Sequence, residues 1–190
     1  NELHQYAKKH GSKTRIVQRV GDVGSHGKPD LTKLVVASAF HTDTVIFPSM
    51  WAYDFVKTTL ESMDRRAEKQ WHVIANAPAS VFYKNRNIHR TLPDRPSFVT
   101  HHWSTNMLKG FEFYAQLEKD IEYDGTFTIY GRAPAEVSLR NVKGSLTDVQ
   151  LSEELPKHDI YVTASRAEAG ANHVLEAIAA GLPVIYHVAG

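Results

Sequence analysis

Cysteine is missing from the 190 residues, which excludes a disulfide framework and any zinc site with thiolate ligands. Long apolar runs are missing too, because no stretch approaches the roughly 20 residues that a membrane-spanning helix needs. Net charge is almost absent, since 22 basic side chains are balanced by 21 acidic ones. The remaining composition is 42% hydrophobic and 23% charged, which is ordinary for a globular protein and argues against a disordered chain.

The two halves of the chain differ in charge. Residues 1–93 carry 14 basic and 8 acidic side chains, whereas residues 94–190 carry 8 basic and 13 acidic ones. This asymmetry predicts two units that face different partners, although an uneven surface charge would give the same count. The basic half is compatible with a peripheral contact to a membrane surface. It lacks the interleaved aromatic residues and the motifs of nucleic-acid proteins, so we expect no nucleic-acid partner.

The order of predicted elements is that of an α/β protein. Strands and helices alternate up to residue 75 and again from residue 97, which predicts Rossmann-like parallel sheets. Asp30 is the predicted cap of the first helix of this series. The predicted strands are 15–20, 44–47, 71–75, 97–100, 126–130, 159–163 and 182–187, and the predicted helices are 31–38, 51–63, 108–121, 148–155 and 172–180.

Residues 76–96 interrupt this alternation with Pro78, Pro93 and Pro96. We therefore predict a first unit over residues 1–78, a crossover over 79–96 and a second unit over 97–190. The last residues, 182–190, have the pattern of a buried strand that stops as a turn begins, which predicts that the sequence is a fragment. No signal-peptide pattern is present, and we expect a cytoplasmic location.

The most informative segment is residues 159–184, where a strand leads through a loop of small residues into a helix and then a further strand. Ligands of open α/β sheets bind at such carboxyl ends of strands. The small side chains from Ala169 to Ala171 let a ligand approach the backbone, and the N–H groups that open the helix form an anion site. Glu168 and Glu176 bracket this site with seven residues between them.

This segment resembles the donor-sugar motif of retaining glycosyltransferases with the GT-B fold, family 4 in particular. That motif is a serine followed by Glu-x7-Glu, a small loop containing glycine, and Leu-Glu-Ala-x-Ala-x-Gly-x-Pro-Val. The resemblance covers roughly residues 15–190 and is most specific from residue 97 onwards. The matching positions are Ser165, Glu168, Gly170, Leu175-Glu-Ala177, Ala179, Gly181 and Pro183-Val184, with Lys109-Gly110 matching the end of the family's basic loop.

The resemblance implies that the first unit is the C-terminal part of an acceptor-side domain and that the second is a truncated donor-binding domain. It implies a nucleoside-diphosphate sugar as donor, a glycan, lipid or protein acceptor, and no cofactor or metal. Lys109 and Glu168 would be catalytic: Lys109 would stabilise the leaving diphosphate, and Glu168 would orient the sugar. Glu176 would bind the ribose. Further donor-binding candidates are Gly131, Arg132, Gly170, Ala171 and Asn172, and acceptor-side candidates are Arg19, Asp22 and His26.

The sequence also departs from the family. The usual arginine of the basic loop is missing, and Arg132 or Arg166 is a candidate replacement. The adjacent His101 and His102 suggest a metal, but neighbouring strand residues point to opposite faces, so we expect none. Two alternative functions remain open: a noncatalytic nucleotide-sugar-binding domain, and a GT-B sugar-nucleotide 2-epimerase, which needs further acid–base carboxylates and histidines in its cleft. The oligomeric state is left open.

Overall fold

The structure, a computed structural model, describes residues 2–11, 14–62, 70–89 and 91–188. These residues form two compact units. The first runs to Asn76 and also takes in Glu168–Gly170, whereas the second contains Ala77–Ala167 and continues from Ala171. None of the helices within the described ranges combines the length and the apolar character needed to cross a membrane.

A parallel sheet with the strand order β1 (Val17–Arg19), β2 (Thr44–Phe47) and β3 (Gln70–Val73) forms the centre of the first unit. The helix α1 precedes the sheet, α2 connects β1 to β2, and α3 lies between β2 and β3. Apolar side chains from the strands and from α2 and α3 meet in one core, which includes Val23, Val36, Val45, Phe47, Val56 and Leu60. The elements are α1 (Glu2–Lys9), β1 (Val17–Arg19), α2 (Pro29–Ala39), β2 (Thr44–Phe47), α3 (Met50–Ser62) and β3 (Gln70–Val73).

The predicted elements of this unit are present with small shifts. The strand at 44–47 is confirmed, and the helix predicted over 51–63 begins at Met50. Met63, its predicted end, lies outside the described residues. The prediction that Asp30 caps α2 is wrong, because the helix begins at Pro29 with Lys28 at the capping position. Proline suits this place because its fixed φ is helical and its missing N–H is not needed in the first turn.

A second parallel sheet, with the strand order β6-β5-β4-β7-β8, forms the centre of the second unit. Along the chain, a helix follows the first, third and fourth strands of this unit, whereas the second strand leads to the third without one, and the helix at Ser80–Lys84 is not among the predicted helices. The strands are β4 (Ser97–His102), β5 (Thr126–Gly131), β6 (Val142–Lys143), β7 (Ile160–Thr163) and β8 (Val184–Tyr186). The helices are α4 (Ser80–Lys84), α5 (Phe111–Asp120), α6 (Asp148–Glu154) and α7 (Asn172–Ala179).

Helices cover both faces of this sheet. One cluster packs Phe82 of α4 and the side chains of α6 and α7 against β4, β5 and β7. The other packs Phe111 and Tyr114 of α5 against Phe127 and Ile129 of β5. Since parallel sheets bury both faces, this arrangement also buries polar side chains of the strands, among them Thr100, His101 and Thr128. The fold class is therefore the Rossmann-like α/β fold that the alternation predicts. The segment predicted as the crossover, 79–96, includes α4; Arg90 of that segment lies outside the described residues.

One predicted helix is divided by the structure. The sequence pattern predicts a continuous helix over 108–121, but a single 3₁₀ turn, Met107–Lys109, comes first and α5 begins only at Phe111. Gly110 separates them in a left-handed conformation with φ 86°. The apolar spacing also places Phe113 on the wrong face, because it is 49% exposed whereas Phe111 and Tyr114 are fully buried.

Candidate functional site

The strand order of the second unit has its switch point between β4 and β7. The chain leaves β4 toward β5 on one side and leaves β7 toward β8 on the other. Ligands of doubly wound sheets bind in the crevice outside the carboxyl ends of the two strands at such a point. The carboxyl end of β4 consists of His101 and His102. The carboxyl end of β7 is Thr163, and Ala164 follows it.

Lys109 lies in a turn that is fixed against the end of β7. The side chain of Asn106 accepts the Leu108 N–H at 2.9 Å and so begins the turn. The Arg166 N–H donates to the Leu108 carbonyl at 2.9 Å and ties the two strand ends together. Gly110 closes the turn against the backbone of Ala164, whose carbonyl oxygen would lie 2.7 Å from a Cβ added at Gly110. These contacts fix the backbone at Lys109 relative to the end of β7.

His102 links the end of β4 to the same turn region. Its Nε2 lies 2.8 Å from the Tyr114 hydroxyl, which accepts the Ala164 N–H at 3.0 Å. Burial lowers the pKa of His102 well below its usual value, and the neighbouring His173, His101 and Lys109 lower it further. The ring is therefore neutral near pH 7, so Nε2 can accept the tyrosine proton.

His173 comes from the first turn of α7 and faces the same place. Its Nε2 lies 3.1 Å from the Thr163 hydroxyl, which accepts the Ser165 N–H at 3.3 Å. Burial lowers the pKa of His173 well below its usual value, and His101 and Lys109 lower it further. Since Lys109 acts on both His102 and His173, these three basic groups share one electrostatic environment. The Ser165 hydroxyl, in a residue only 1% exposed, has no hydrogen-bond partner in the described residues.

Glu176, one turn further along α7, is held by the other histidine of β4. Its Oε2 lies 2.8 Å from Nε2 of His101, and the two side chains are 19% and 3% exposed. On the opposite side of the ring, His101 Nδ1 lies 3.2 Å from the hydroxyl of Tyr161, which is fully buried on β7. The predicted ribose ligand is thus a half-buried carboxylate with a defined partner.

The remaining donor-site candidates of the second unit are backbone positions or exposed. Gly131 ends β5 with φ 109°, and a side chain there would overlap the His102 carbonyl oxygen. Arg132 donates its backbone N–H to that oxygen at 2.9 Å, while its side chain is exposed. Ala171 is the capping residue of α7 and provides no side-chain hydrogen bond, and Asn172, the first helical residue, is exposed.

The segment Glu168–Gly170 belongs to the first unit. The Ser49 hydroxyl donates to the Ala169 carbonyl at 2.7 Å, and Ala169 joins the apolar core of that unit. A Cβ at Gly170 would lie 2.8 Å from the side-chain amide nitrogen of Asn76 and 2.9 Å from Cβ of Pro48, so these side chains would have to shift to admit a larger residue. Glu168 is half-buried.

The acceptor-side candidates also lie in the first unit. Arg19 donates to the Asn76 side chain. Asp22 accepts the Gly24 N–H at 2.8 Å and forms an ion pair with Lys28 at 2.9 Å. Burial alone would raise the pKa of Asp22, but these two partners together lower it. His26 is half-buried in the same loop. The contacts of Asp22 stabilise the loop itself, and the acceptor role of these residues stays a prediction.

An apolar groove of about 440 Å³ lies beside the Lys109 turn. Its lining includes Gly110, Phe113, Thr163, Arg166 and Tyr186. This volume lies within the range of small-molecule sites, roughly 300–1,000 Å³. In the described part of the chain, no cluster of three or more His, Asp or Glu side chains is placed to hold a metal ion.

Sequence reasoning missed the residues that support the site. The spacing of Glu168 and Glu176 indicates the loop, but the partner of Glu176 is His101, 75 residues away, and Tyr161 in turn contacts His101. A detectable signal was present, because polar residues at the end of a buried strand need a partner. The sequence pattern of His101 and His102 indicates only a possible metal site, not the contacts with Glu176 and Tyr114.

Comparisons with known proteins give a consistent result for the fold. No known protein family and no curated protein matches the chain by sequence. Solved structures do match: a sucrose-phosphate synthase from Thermosynechococcus elongatus at TM-score 0.68 and 16% identity, covering 98% of this chain and 53% of that one. The pneumococcal O-GlcNAc transferase GtfA in complex with UDP and GlcNAc matches at TM-score 0.60 and 18% identity, covering 85% and 33%. TarM matches at TM-score 0.58 and 16% identity, covering 83% and 32%.

At these identities the comparisons establish the architecture. Each unit, the second with its doubly wound parallel sheet and the first with its smaller parallel sheet, has a Rossmann-like α/β fold, and the solved structures that match the chain are of the GT-B type. The chain spans about a third to a half of the length of the structures it matches.

Proposed function

We propose that the chain is part of a retaining glycosyltransferase that moves a sugar from a nucleoside-diphosphate sugar to an acceptor hydroxyl. The observation that carries the proposal is the Lys109 turn, which is fixed on the end of β7 at the switch point of the second unit. A lysine held at that place supplies positive charge where a ligand of this sheet class binds. A glycosyltransferase structure in complex with UDP among the matching structures supports the choice of ligand.

In this proposal the bond between the anomeric carbon and the diphosphate oxygen breaks, and a bond to the acceptor oxygen forms. The proton of the acceptor hydroxyl passes to the leaving diphosphate, which assists attack from the same face and so retains the configuration. Lys109 and the N–H groups at the start of α7 stabilise the charge that grows on the diphosphate. Glu168 orients the hydroxyls of the sugar, and Glu176 accepts hydrogen bonds from the ribose. The reaction as written needs no cofactor.

The test is the affinity of the chain for UDP, GDP and ADP, measured by titration calorimetry for the wild type and for Glu176→Ala. A hydrogen bond to a charged group contributes about 1.5–3 kcal/mol, so the variant is expected to bind roughly 10–100-fold more weakly. Glu153→Ala is the matched control, because it removes an exposed carboxylate from α6 of the same unit. Equal affinity of the wild type and Glu176→Ala would exclude the ribose role.

Incubation of the chain with a sugar nucleotide distinguishes a transferase from a noncatalytic binding domain. Release of free nucleoside diphosphate from the sugar nucleotide, with the product sugar in the donor's anomeric configuration by NMR, supports the retaining enzyme. Tight binding of the sugar nucleotide without transfer or hydrolysis supports the noncatalytic binding domain instead.

One observation favours the 2-epimerase as a second candidate. That reaction needs histidines and carboxylates in the cleft; the ring centroids of His102 and His173 lie 5.3 Å apart, and the neighbouring His101 contacts Glu176 at 2.8 Å. An NMR spectrum of the sugar nucleotide after incubation separates the two, because epimerisation inverts the substituent at C2 whereas transfer leaves C2 unchanged.

A further inference from the structure

Glu176 differs from an ordinary helix carboxylate in having a single buried hydrogen-bond partner. Its Oε2 lies 2.8 Å from His101 Nε2, and the imidazole is 3% exposed at the end of β4. Within the described part of the chain, the hydrogen bonds of the Glu176 side chain go to His101 alone. The second carboxylate oxygen is thus left to accept from a ligand.

The orientation of the His101 ring is fixed from the opposite side by Tyr161. The tyrosine hydroxyl accepts the His101 backbone N–H at 3.2 Å and lies 3.2 Å from His101 Nδ1. The Glu176 carboxylate can only accept a hydrogen bond, so it favours the proton on Nε2 of His101 and leaves Nδ1 to accept the proton of the tyrosine hydroxyl. Burial raises the pKa of Tyr161 well above its usual value, so the hydroxyl keeps this proton. Nδ1 therefore accepts, and Nε2 carries the proton that is donated to Glu176.

The rings are also packed together. His101 and Tyr161 make an edge-to-face contact with centroids 5.5 Å apart, and Tyr161 has no exposed surface. The chain of contacts from β7 through β4 to α7 thus begins in the rigid core and ends at the carboxylate. A free glutamate loses up to about 2 kcal/mol of rotamer entropy when it is ordered. A carboxylate already held by His101 loses less of this freedom when a ligand binds.

We propose that His101 and Tyr161 are positioning residues, which hold the Glu176 carboxylate in one orientation so that it can accept hydrogen bonds from the ribose of a nucleoside diphosphate. This inference rests on the proposed function, because it assigns the ribose to Glu176. It adds residues on β4 and β7 that the Glu-x7-Glu spacing does not contain. Neither side chain contacts the ligand itself; both act through Glu176.

The test compares His101→Leu, which removes the donor, with His101→Gln, whose side-chain amide N–H can replace Nε2–H. Calorimetric affinity for UDP, GDP and ADP is measured for both variants and for the wild type, after circular dichroism has shown that each is folded. For the nucleotide that the wild type binds most tightly, we expect His101→Leu to lower the affinity about tenfold. We expect the affinity of His101→Gln to lie within about threefold of the wild-type value.

A double variant shows whether His101 acts through Glu176. If it does, His101→Leu combined with Glu176→Ala binds no more weakly than Glu176→Ala alone, because residues that act as a unit are not additive. Additive losses would overturn the proposal, and so would equal losses in His101→Leu and His101→Gln. Wild-type affinity in His101→Leu would overturn it as well.

A ligand-free measurement keeps the inference separate from the proposed function. In the free chain, ¹⁵N NMR of the histidine ring should show the proton of His101 on Nε2, and Tyr161→Phe should change the Nδ1 chemical shift, because it removes the hydrogen-bond donor to that nitrogen, while the proton stays on Nε2 beside Glu176. A proton on Nδ1 in the wild type would overturn the inference even if the nucleotides bind. Failure of the wild type to bind any of the three nucleotides would instead overturn the proposed function. Tyr161→Phe also provides the affinity test if His101→Leu does not fold.

Discussion

Substitution of Gly110 by alanine tests how firmly the Lys109 turn is fixed. The residue has φ 86°, a conformation that costs a residue with a side chain roughly 1–2 kcal/mol. The added methyl group would also lie 2.7 Å from the Ala164 carbonyl oxygen and closer still to the Ala164 side chain. Overpacking of this kind costs about 1–3 kcal/mol. The structure therefore predicts a total loss of about 2–5 kcal/mol in the free energy of unfolding.

Substitutions at two other glycines distinguish the cost of the left-handed backbone from the cost of overpacking. Gly27 has φ 74° but nothing within 4 Å of an added Cβ, so Gly27→Ala should lose only the conformational term of about 1–2 kcal/mol. Gly144 belongs to the same unit as Gly110, also has open space, and does not have a left-handed backbone, so Gly144→Ala should be neutral or slightly stabilising.

The assay is urea unfolding followed by far-UV circular dichroism, with nucleotide affinity measured on the same samples under native conditions. Gly110→Ala should lower the unfolding free energy more than Gly27→Ala and should also weaken nucleotide binding, because the backbone that carries Lys109 must shift. A loss in Gly110→Ala no larger than in Gly27→Ala would refute the claim that the turn is packed against β7. A large loss of stability with unchanged nucleotide affinity would separate the turn from the binding site.

Two further predictions concern basic residues of the second unit, one lysine and two buried histidines. Lys109→Ala should lower turnover at least 100-fold, as expected for one lost electrostatic contact to a leaving group. The control Lys143→Ala, which removes an exposed lysine of β6, should leave turnover unchanged. Equal loss of thermal stability and activity in Lys109→Ala would show a structural role instead. Burial lowers the pKa values of His102 and His173, so below pH 6.5 the unfolded state binds more protons than the folded state. The free energy of unfolding therefore decreases as the pH is lowered. Urea unfolding between pH 7.5 and 5 should show a slope of up to about 1.4 kcal/mol per pH unit for each histidine, and His102→Gln should reduce it; a flat profile would contradict the neutral buried rings.

The sequence pattern was sufficient for the sheets but not for the turn that carries Lys109. The strand at 44–47 is a short run of β-branched and aromatic residues followed by Pro48, and this length and composition favour a strand over a helix. The helical period continues through Gly110, however, so the pattern predicts an unbroken helix over 108–121. The break there comes from the close approach of Ala164, 54 positions further along the chain. Contacts of this range are not encoded in local periodicity.

The same reason explains which parts of the site were predicted. Glu168 and Glu176 belong to one local motif, and the spacing alone brings them to attention. The hydrogen bond from His101 to Glu176 joins residues 75 positions apart, and no local pattern indicates it. The placement of Glu168–Gly170 in the first unit depends on Ser49, 120 positions from Ala169, and is likewise invisible in the sequence.

The proposed function requires that a nucleoside diphosphate bind at the switch point of the second unit. Titration of the isotope-labelled chain with UDP, GDP and ADP, followed by amide NMR, tests it most directly because it locates the site as well as detecting binding. We predict shifts at Lys109, Gly110, His173 and Glu176, with Glu153 unchanged. No shifts with any of the three nucleotides, or shifts that leave these four amides unchanged, would contradict the claim.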